Sequence, residues 1–189
     1  ESENALVQIG VTPIIYYDPV GRLIKTEMPD GTFSKVEFDG WYQKTYDAND
    51  TVKDSIWYAE KSAGTEEERD AASKAIIHYN TPSTAHIDSL GRAFYTIAHN
   101  TWTDRQTGET KEAFYSSFTE LDIENNPRKL VDARGNSVMQ YKYDMIGNFM
   151  YQQSMDSGER WMLNNVMNMP VWKRDSKETI TEFVYDELH

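Results

Sequence analysis

Short stretches of β-branched and aromatic residues recur along the chain, separated by Gly, Asn and Asp. Such stretches read as strands bounded by turns. They predict strands at Ile14–Tyr17, Leu23–Glu27, Thr32–Phe38, Trp41–Tyr46, Ala93–Ile97, Ala113–Leu121, Ser137–Tyr143, Phe149–Gln153 and Thr179–Tyr185. Alternation assigns the faces. Phe33, Lys35 and Glu37 fall on one face of their strand, and Val36 and Phe38 on the other. Met139, Tyr141 and Tyr143 share a face against Gln140 and Lys142. This period of two predicts strands with one face buried and one wetter. Turn formers fall between them: Pro19-Val20-Gly21, Asp30-Gly31, Asp39-Gly40, Arg134-Gly135-Asn136, Gly147-Asn148 and Ser157-Gly158. Gly and Asn there supply the positive φ that tight turns demand.

One segment departs from the pattern. Thr65-Glu66-Glu67-Glu68 has the form of a capping box, with three acids at the positive end of a helix dipole. Asp70 and Lys74 make an i,i+4 pair, and Ala72, Ala75, Ile76 and Tyr79 form an apolar stripe. Asn80-Thr81-Pro82 ends the run, because a residue before Pro avoids the α region. The pattern predicts one amphipathic helix over about 64–79, inserted between strands. The stretch from Ile56 to Lys61 fits a strand end and a helix lead-in equally.

A fixed-spacing repeat underlies the turns. Its unit is an apolar or aromatic residue, then Asp, then Gly or Asn three places later. It occurs as Tyr17-Asp18-Pro19-Val20-Gly21, Ile87-Asp88-Ser89-Leu90-Gly91, Val131-Asp132-Ala133-Arg134-Gly135 and Tyr143-Asp144-Met145-Ile146-Gly147. Weaker copies start at Leu121-Asp122 and Tyr46-Asp47, and Asp175 and Tyr185-Asp186 continue the series. Asn125, Asp50 and Glu178 stand where Gly is expected. An Asp side chain accepts from backbone N–H groups ahead of it, and the Gly takes the left-handed position. The unit therefore generates hairpins, and the candidate functional residues are the turn formers Asp18, Gly21, Asp88, Gly91, Asp132, Gly135, Asp144 and Gly147. Strung together, they predict a mainly β fold of consecutive antiparallel hairpins with the one helix inserted.

Composition narrows the function. The 189 residues carry a net charge of −12, which sets nucleic acid and anionic membranes aside as main partners, because phosphates would repel such a chain. No apolar run approaches the roughly 20 residues that span a bilayer. The absence of Cys removes disulfides, thiolate metal sites and thiol nucleophiles. Aromatics at 13% are too many for a disordered chain. The chain starts at Glu1 without a signal-peptide pattern and stops at His189, just past a Tyr-Asp pair. It is therefore expected to be a section of something longer.

These residues resemble the Rhs/YD-repeat proteins, and more closely the Rhs-containing component of insecticidal toxin complexes. The passages that carry the resemblance run from Asp18 to Ser34, from Val36 to Asp39, from Thr45 to Val52, from Asp132 to Asn136 and from Ser154 to Asn164. It extends from about residue 13 to the end. The resemblance implies a strip of antiparallel sheet that spirals into a shell around a toxic polypeptide. On that reading residues 1–189 are one fragment of the wall, with first repeats over 13–62, a helical insertion over 63–80 and further repeats over 82–189. The implied partners are the remaining repeats of the parent chain and an enclosed toxin polypeptide, at a secreted or cell-surface location in the parent bacterium. Two open sheet edges also predict an edge-to-edge homodimer of the isolated chain.

Chemical sites find little support. Asp18-Pro19-Val20-Gly21 matches a family autoprotease motif but continues as Arg22-Leu23-Ile24, and reads as a turn in which Pro sets φ. Asp47, Asn49 and Thr51 match an EF-hand count, but Val52 and Tyr58 stand where Gly and Glu are required. His78, His86 and His99 lack ligand spacing, and there is no G-x-S-x-G elbow. No catalytic residue, metal or cofactor is expected, and the chain is read as a non-enzyme. The competing class is a carbohydrate- or receptor-binding β module using Trp41, Trp102 and Trp161, against the reading of all five Trp as cross-strand packing. Met145, Met150, Met155, Met162, Met167 and Met169 read as gap-filling side chains.

Overall fold

The computed structural model describes residues 12–186. Thirteen strands follow in chain order: β1 (Ile14–Tyr17), β2 (Leu23–Glu27), β3 (Phe33–Phe38), β4 (Tyr42–Tyr46), β5 (Ser83–Ile87), β6 (Ala93–Thr103), β7 (Thr110–Leu121), β8 (Pro127–Val131), β9 (Ser137–Tyr143), β10 (Phe149–Ser154), β11 (Gly158–Asn164), β12 (Pro170–Asp175) and β13 (Ile180–Glu182). Each pairs antiparallel with its neighbours in sequence, in one open sheet. Four strands, β5, β8, β11 and β12, lie outside the stretches picked out by hydrophobic runs. Two of them open on Pro, which a strand tolerates at its first residue. The chain divides into two compact units. One holds the residues up to Gly91 with Thr96–Tyr115, the other Arg92–Tyr95 with the residues from Ser116 on.

In the first unit, β1–β4 do not split into a buried and a wet face: their side chains are mostly half-buried or exposed. A mesh of Lys, aromatic and Glu side chains takes the place of an apolar core face. Register aligns Tyr16, Lys25, Lys35 and Tyr46 across four strands. Lys25 Nζ lies 4.3 Å from the Phe33 ring centre and 2.6 Å from Glu27, and Glu27 accepts from Tyr16 Oη at 2.8 Å. Lys35 Nζ lies 4.3 Å over Tyr46 and 2.8 Å from Glu37, which accepts from Tyr46 Oη at 3.1 Å. Lysine stems cover the rings while their charges find Glu, so alternation here sorts side chains by type without drying either face.

The connection between β4 and β5 is helical. A short 3-10 turn (Val52–Asp54) leads into α1 (Ile56–Ser62) and then α2 (Glu66–Ala75), which tightens to 3-10 geometry over Ile76–His78. The ambiguous stretch from Ile56 is thus a helix of its own, because Ser55 caps it by accepting from Tyr58 N at 3.1 Å. The capping box of α2 is formed in both directions: Thr65 N donates to Glu68 Oε2 at 2.9 Å, and Glu68 N to Thr65 Oγ1 at 3.4 Å. Lys61 and Glu68, 2.6 Å apart, tie the two helices together. Ala72 is buried, and Ala75, Ile76 and Tyr79 are half-buried.

A knot of buried polar groups anchors this insertion. Asp50 Oδ2 accepts from Asp47 N at 2.8 Å, and its Oδ1 from Thr81 Oγ1 at 2.6 Å. Asn80 N donates to Asp50 O at 2.8 Å. Thr51, only 1% exposed, donates its hydroxyl to Phe33 O and lies 3.2 Å from Asp47 O. Tyr46-Asp47-Ala48-Asn49-Asp50 is therefore no hairpin, contrary to its reading as a weak copy of the repeat. Asp47 Oδ1 accepts from Asn49 N and Asp50 N and turns the chain into the helices.

In the second unit, Tyr151 is buried beside Trp161, with ring centres 4.5 Å apart, and Lys142 Nζ lies 5.1 Å from the Tyr151 centre. Tyr143 and Phe149 pack at 5.0 Å, and Phe94 meets Phe118 edge-on at 6.3 Å. Because turns alternate between the two ends of the strands, each unit has two rims. The turns at 122–126, 144–148 and 165–169 share one rim of the second unit and expose Ile123, Met145, Ile146, Val166 and Met167. The opposite rim, at 132–136, 154–158 and 175–179, carries mostly polar tips. Met145 and Met167 are thus solvent-facing rather than gap-filling (Met145 is 98% exposed), since the middle of a tight turn points away from the sheet.

Candidate functional site

The turn formers are brought into one recurring geometry. Asp at the first place closes a backbone loop in which its N–H donates to the carbonyl four residues on. Examples are Asp18 with Arg22 at 2.9 Å, Asp132 with Asn136 at 3.0 Å and Asp144 with Asn148 at 2.9 Å. The residue three places on returns its N–H to the Asp carbonyl, as from Gly21, Gly91, Gly135 and Gly147 at 2.9–3.2 Å. The Asp Oδ1 then accepts two further N–H groups, two and four residues on. For Asp18 these come from Val20 and Arg22 at 3.0 and 2.9 Å, for Asp132 from Arg134 and Asn136 at 2.9 and 2.8 Å, and for Asp144 from Ile146 and Asn148 at 2.9 Å each. Asp88 Oδ1 accepts from Leu90 N at 2.9 Å. Gly21, Gly91, Gly135 and Gly147 have φ between +76° and +85°, which places them in the left-handed region.

Three features escaped the sequence. The residue that follows the Gly position is part of the turn. Asn126, Asn136 and Asn148 donate their side-chain Nδ2 to the Asp Oδ2 at 3.1, 3.0 and 2.9 Å, and Arg22 Nε does the same at 2.7 Å. A further copy runs from Asn165 to Met169, where Asn165 Oδ1 accepts from Met167 N and Met169 N at 2.9 and 3.0 Å. Asn offers the same acceptor as Asp, so a search for Asp passes over it. The Tyr before the Asp also has a defined partner. Tyr143 Oη donates to Pro127 O, and Tyr185 Oη to Pro170 O, each at 2.7 Å, tying the end of β9, and the segment just past β13, to the start of the neighbouring strand. The remainder of the copy that begins at Tyr185-Asp186 lies outside the described residues.

The left-handed slot is not reserved for Gly. Asn125 and Asn168 hold it at φ +72° and +62°, and Glu178 at +64°. Glu178 also lies 3.1 Å from Arg174, an ion pair that offsets part of its backbone strain.

The turn carboxylates Asp18, Asp122, Asp132, Asp144 and Asp175 sit below the ordinary Asp pKa of 3.8. For Asp132 the main cause is the Asn136 side chain, followed by the Asn136 N–H. For Asp122, Asp144 and Asp175 it is the N–H four residues on. Asp18 loses water to its surroundings, which works the other way, but the Arg22 and Val20 donors outweigh it. A carboxyl whose folded pKa is depressed binds fewer protons folded than unfolded, so it stabilises the fold above the unfolded pKa and stops doing so as pH falls through the folded one. Thermal unfolding followed by circular dichroism should show a flat melting temperature near neutrality and a progressive fall below about pH 4. Asp132→Asn and Asp144→Asn together should shallow that fall. An unchanged acid limb would remove the turns as its source.

Trp41 and Trp102 form no common platform. Trp41, 64% exposed, sits in the turn between β3 and β4. Trp102 lies near the end of β6, on the opposite rim of the same unit. Trp161 packs on Tyr151 in β11. Asp47 and Asn49, from the calcium-like count, are spent on the turn into the helices. His99 stacks on Phe114 at 4.4 Å and faces Glu112, and His86 lies 6.1 Å from the Tyr42 ring. Among the described residues no helix is long and apolar enough to cross a membrane.

Fold and turns together define a class: a ribbon of consecutive antiparallel hairpins joined by Asp-anchored turns. No protein-family profile matches the sequence, and no curated protein matches it. Solved structures do share its fold. The chain is similar to a chain of the Photorhabdus luminescens Tc holotoxin pore, with a TM-score of 0.75 and 21% identity over 92% of this chain and 8% of that one. It is similar in the same way to chains in crystal structures of TcdB2-TccC3-Cdc42 (TM-score 0.74) and TcdB2-TccC3 (0.73). Each is 21% identical over 92% of this chain and 8% of that chain. At this identity the likeness is one of fold, and its neighbours are Tc toxin chains, in agreement with the resemblance carried by the Tyr-Asp repeats. The chain spans 8% of the length of those it matches.

Proposed function

We propose that the chain is a non-catalytic section of wall in an Rhs/YD-repeat shell that encloses a toxin polypeptide. The observation that carries this reading is the sequential order of thirteen antiparallel strands, many of them joined by one recurring turn design, alignable over 92% of the chain with Tc toxin chains. Each hairpin adds about 10 Å of sheet without needing a second layer beneath it, which suits a wall built by repetition. The turn residues Asp18, Gly21, Asp88, Gly91, Asp132, Gly135, Asp144 and Gly147 are the functional ones in this sense, because they keep successive strands in register. Its partners are then the neighbouring repeats of a longer chain and the enclosed polypeptide, at a secreted or cell-surface location. As an isolated chain, its terminal strands β1 and β13 would pair edge to edge with a second copy, which sedimentation at rising concentration would register.

Limited proteolysis of the full gene product that carries this chain tests the reading. An internal polypeptide segment should survive protease while the wall is intact. It should become cleavable when Gly135→Val and Gly147→Val disturb two turns. A product in which no segment is protected, or in which protection ignores the turn variants, would overturn it.

A further inference from the structure

We infer that the β10–β13 face carrying Arg160 and Lys173 is a binding site for an extended polypeptide segment with an acidic residue at every second position. A cavity of about 970 Å³ lies over this part of the second unit, at the upper end of the volumes typical of ligand sites. Register shows which side chains share its floor. Gln152 pairs with Arg160 and Arg160 with Asp175, and Met162 pairs with Lys173 and Lys173 with Thr181. All of them line the cavity, with Met150. Tyr151, Trp161 and Arg174, which also border the cavity, alternate with these residues along their strands.

One end of the cavity is closed by two turns. Ser176 Oγ donates to Ser157 O at 3.0 Å, and a Cβ on Gly158 would stand 2.6 Å from Ser176 Cβ. This close approach demands Gly at position 158, whose φ is +72°. It also brings Lys177 to the cavity's rim.

Charge selects the occupant. The chain as a whole carries −12, yet the charged residues bordering this cavity are four bases, Arg160, Lys173, Arg174 and Lys177, against two acids, Asp156 and Asp175. Asp175, the acid facing Arg160, has its Oδ1 committed to the N–H groups of Lys177 and Thr179, both at 2.9 Å. Among the described residues neither Arg160 nor Lys173 has an ion pair. Lys173 instead lies 5.2 Å over the Phe183 ring. Arg160 and Lys173 are diagonal neighbours on adjacent strands, which places them about 7–8 Å apart at the backbone. Acidic residues two apart in an extended chain are spaced about 7 Å along one side. The side chains between them would point away from the floor, where Met150 and Met162 lie beside Arg160 and Lys173 and, as flexible thioethers, adapt to the methylene stems of the acids. Four strands make a floor about 14 Å across, the length of four or five extended residues.

The proposal deepens the wall reading by naming the chemistry of a segment held against it, and it stands on separate observations. The probe is a fluorescein-labelled peptide of alternating Glu and Ser, followed by fluorescence anisotropy with the purified chain. It should bind saturably and lose affinity as salt rises. Arg160→Glu with Lys173→Glu, both on exposed positions, should weaken binding at least tenfold without changing the melting temperature. Arg134→Glu makes the same kind of charge change on a different turn and should alter affinity by less than twofold. A peptide with Gln for Glu should bind at least tenfold more weakly. Equal binding of the Gln peptide, equal loss in the Arg134 variant, or no binding of the Glu peptide would each overturn the proposal. Protease protection in the full gene product would be untouched by those results, so the two readings fail separately.

Discussion

Replacing Asp50 by Ala is expected to destabilise the first unit by about 2–4 kcal/mol, measured by urea denaturation followed through Trp fluorescence. The carboxylate is buried and takes two hydrogen bonds, from the Asp47 N–H and the Thr81 hydroxyl. The Asp47 N–H would be left without a partner, at about 1–3 kcal/mol for a buried unsatisfied group, and the Thr81 hydroxyl would lose its bond to a charged acceptor and keep only His78 O at 2.8 Å. Those bonds join the end of β4 to the segment that leads into β5, so the loss would loosen the whole helical insertion. Thr51→Val is the companion test. It keeps the shape of the side chain and removes only the hydroxyl that Phe33 O and Asp47 O accept, for about 1–3 kcal/mol. A loss below about 0.5 kcal/mol in both variants, the range of ordinary surface changes, would show that the knot does not anchor the insertion.

The second large effect is Gly31→Val, expected at about 3–4 kcal/mol against about 1–2 for Gly147→Val. Both glycines have positive φ, +80° and +85°, so Val pays backbone strain at either. The two differ in what surrounds them. A Cβ at position 147 meets nothing within 4 Å, whereas one at position 31 stands 2.9 Å from Ile56 Cβ and 3.3 Å from Trp57 N. The turn also holds the first turn of α1 by a bond from Ile56 N to Gly31 O at 3.2 Å. Val there would have to push α1 off its seat. Gly147→Asn should cost less than about 1 kcal/mol, since Asn125 and Asn168 already occupy the equivalent slot. The expected order by denaturation is Gly31→Val, then Gly147→Val, then Gly147→Asn. Equal losses for the first two would mean that contact with α1 contributes nothing.

The repeat was legible because a hairpin turn writes itself into a few adjacent residues. Asp at the acceptor position and Gly at positive φ both follow from local geometry, so Asp132 and Gly135 could be found without knowing what their strands touch. The same locality explains the capping box of α2, whose two bonds span four residues. What could not be read depends on residues distant in sequence. Asp50 looked like a turn residue, and only Thr81, thirty-one positions later, reveals it as an anchor. The mesh of Lys25, Phe33, Lys35 and Tyr46 needs the register of three strands. Alternation predicted a dry face where this sheet has none. Turn copies built on Asn165 were passed over because chemistry, rather than residue identity, is what repeats.

The order of the strands also decides how the ribbon comes together. Every strand pairs with its neighbours in sequence, so nearly all contacts close short loops, and a chain with local contacts meets a low entropic barrier. Nucleation can start at any hairpin and spread in both directions, as in linear repeat arrays. One step breaks this locality: β4 meets β5 only after the helical insertion has been folded out of the way. That junction closes the longest connection between described strands and is expected to be the slow step in zipping the ribbon, so loss of Asp50, which bonds Thr81 across it, should slow refolding followed by stopped-flow Trp fluorescence.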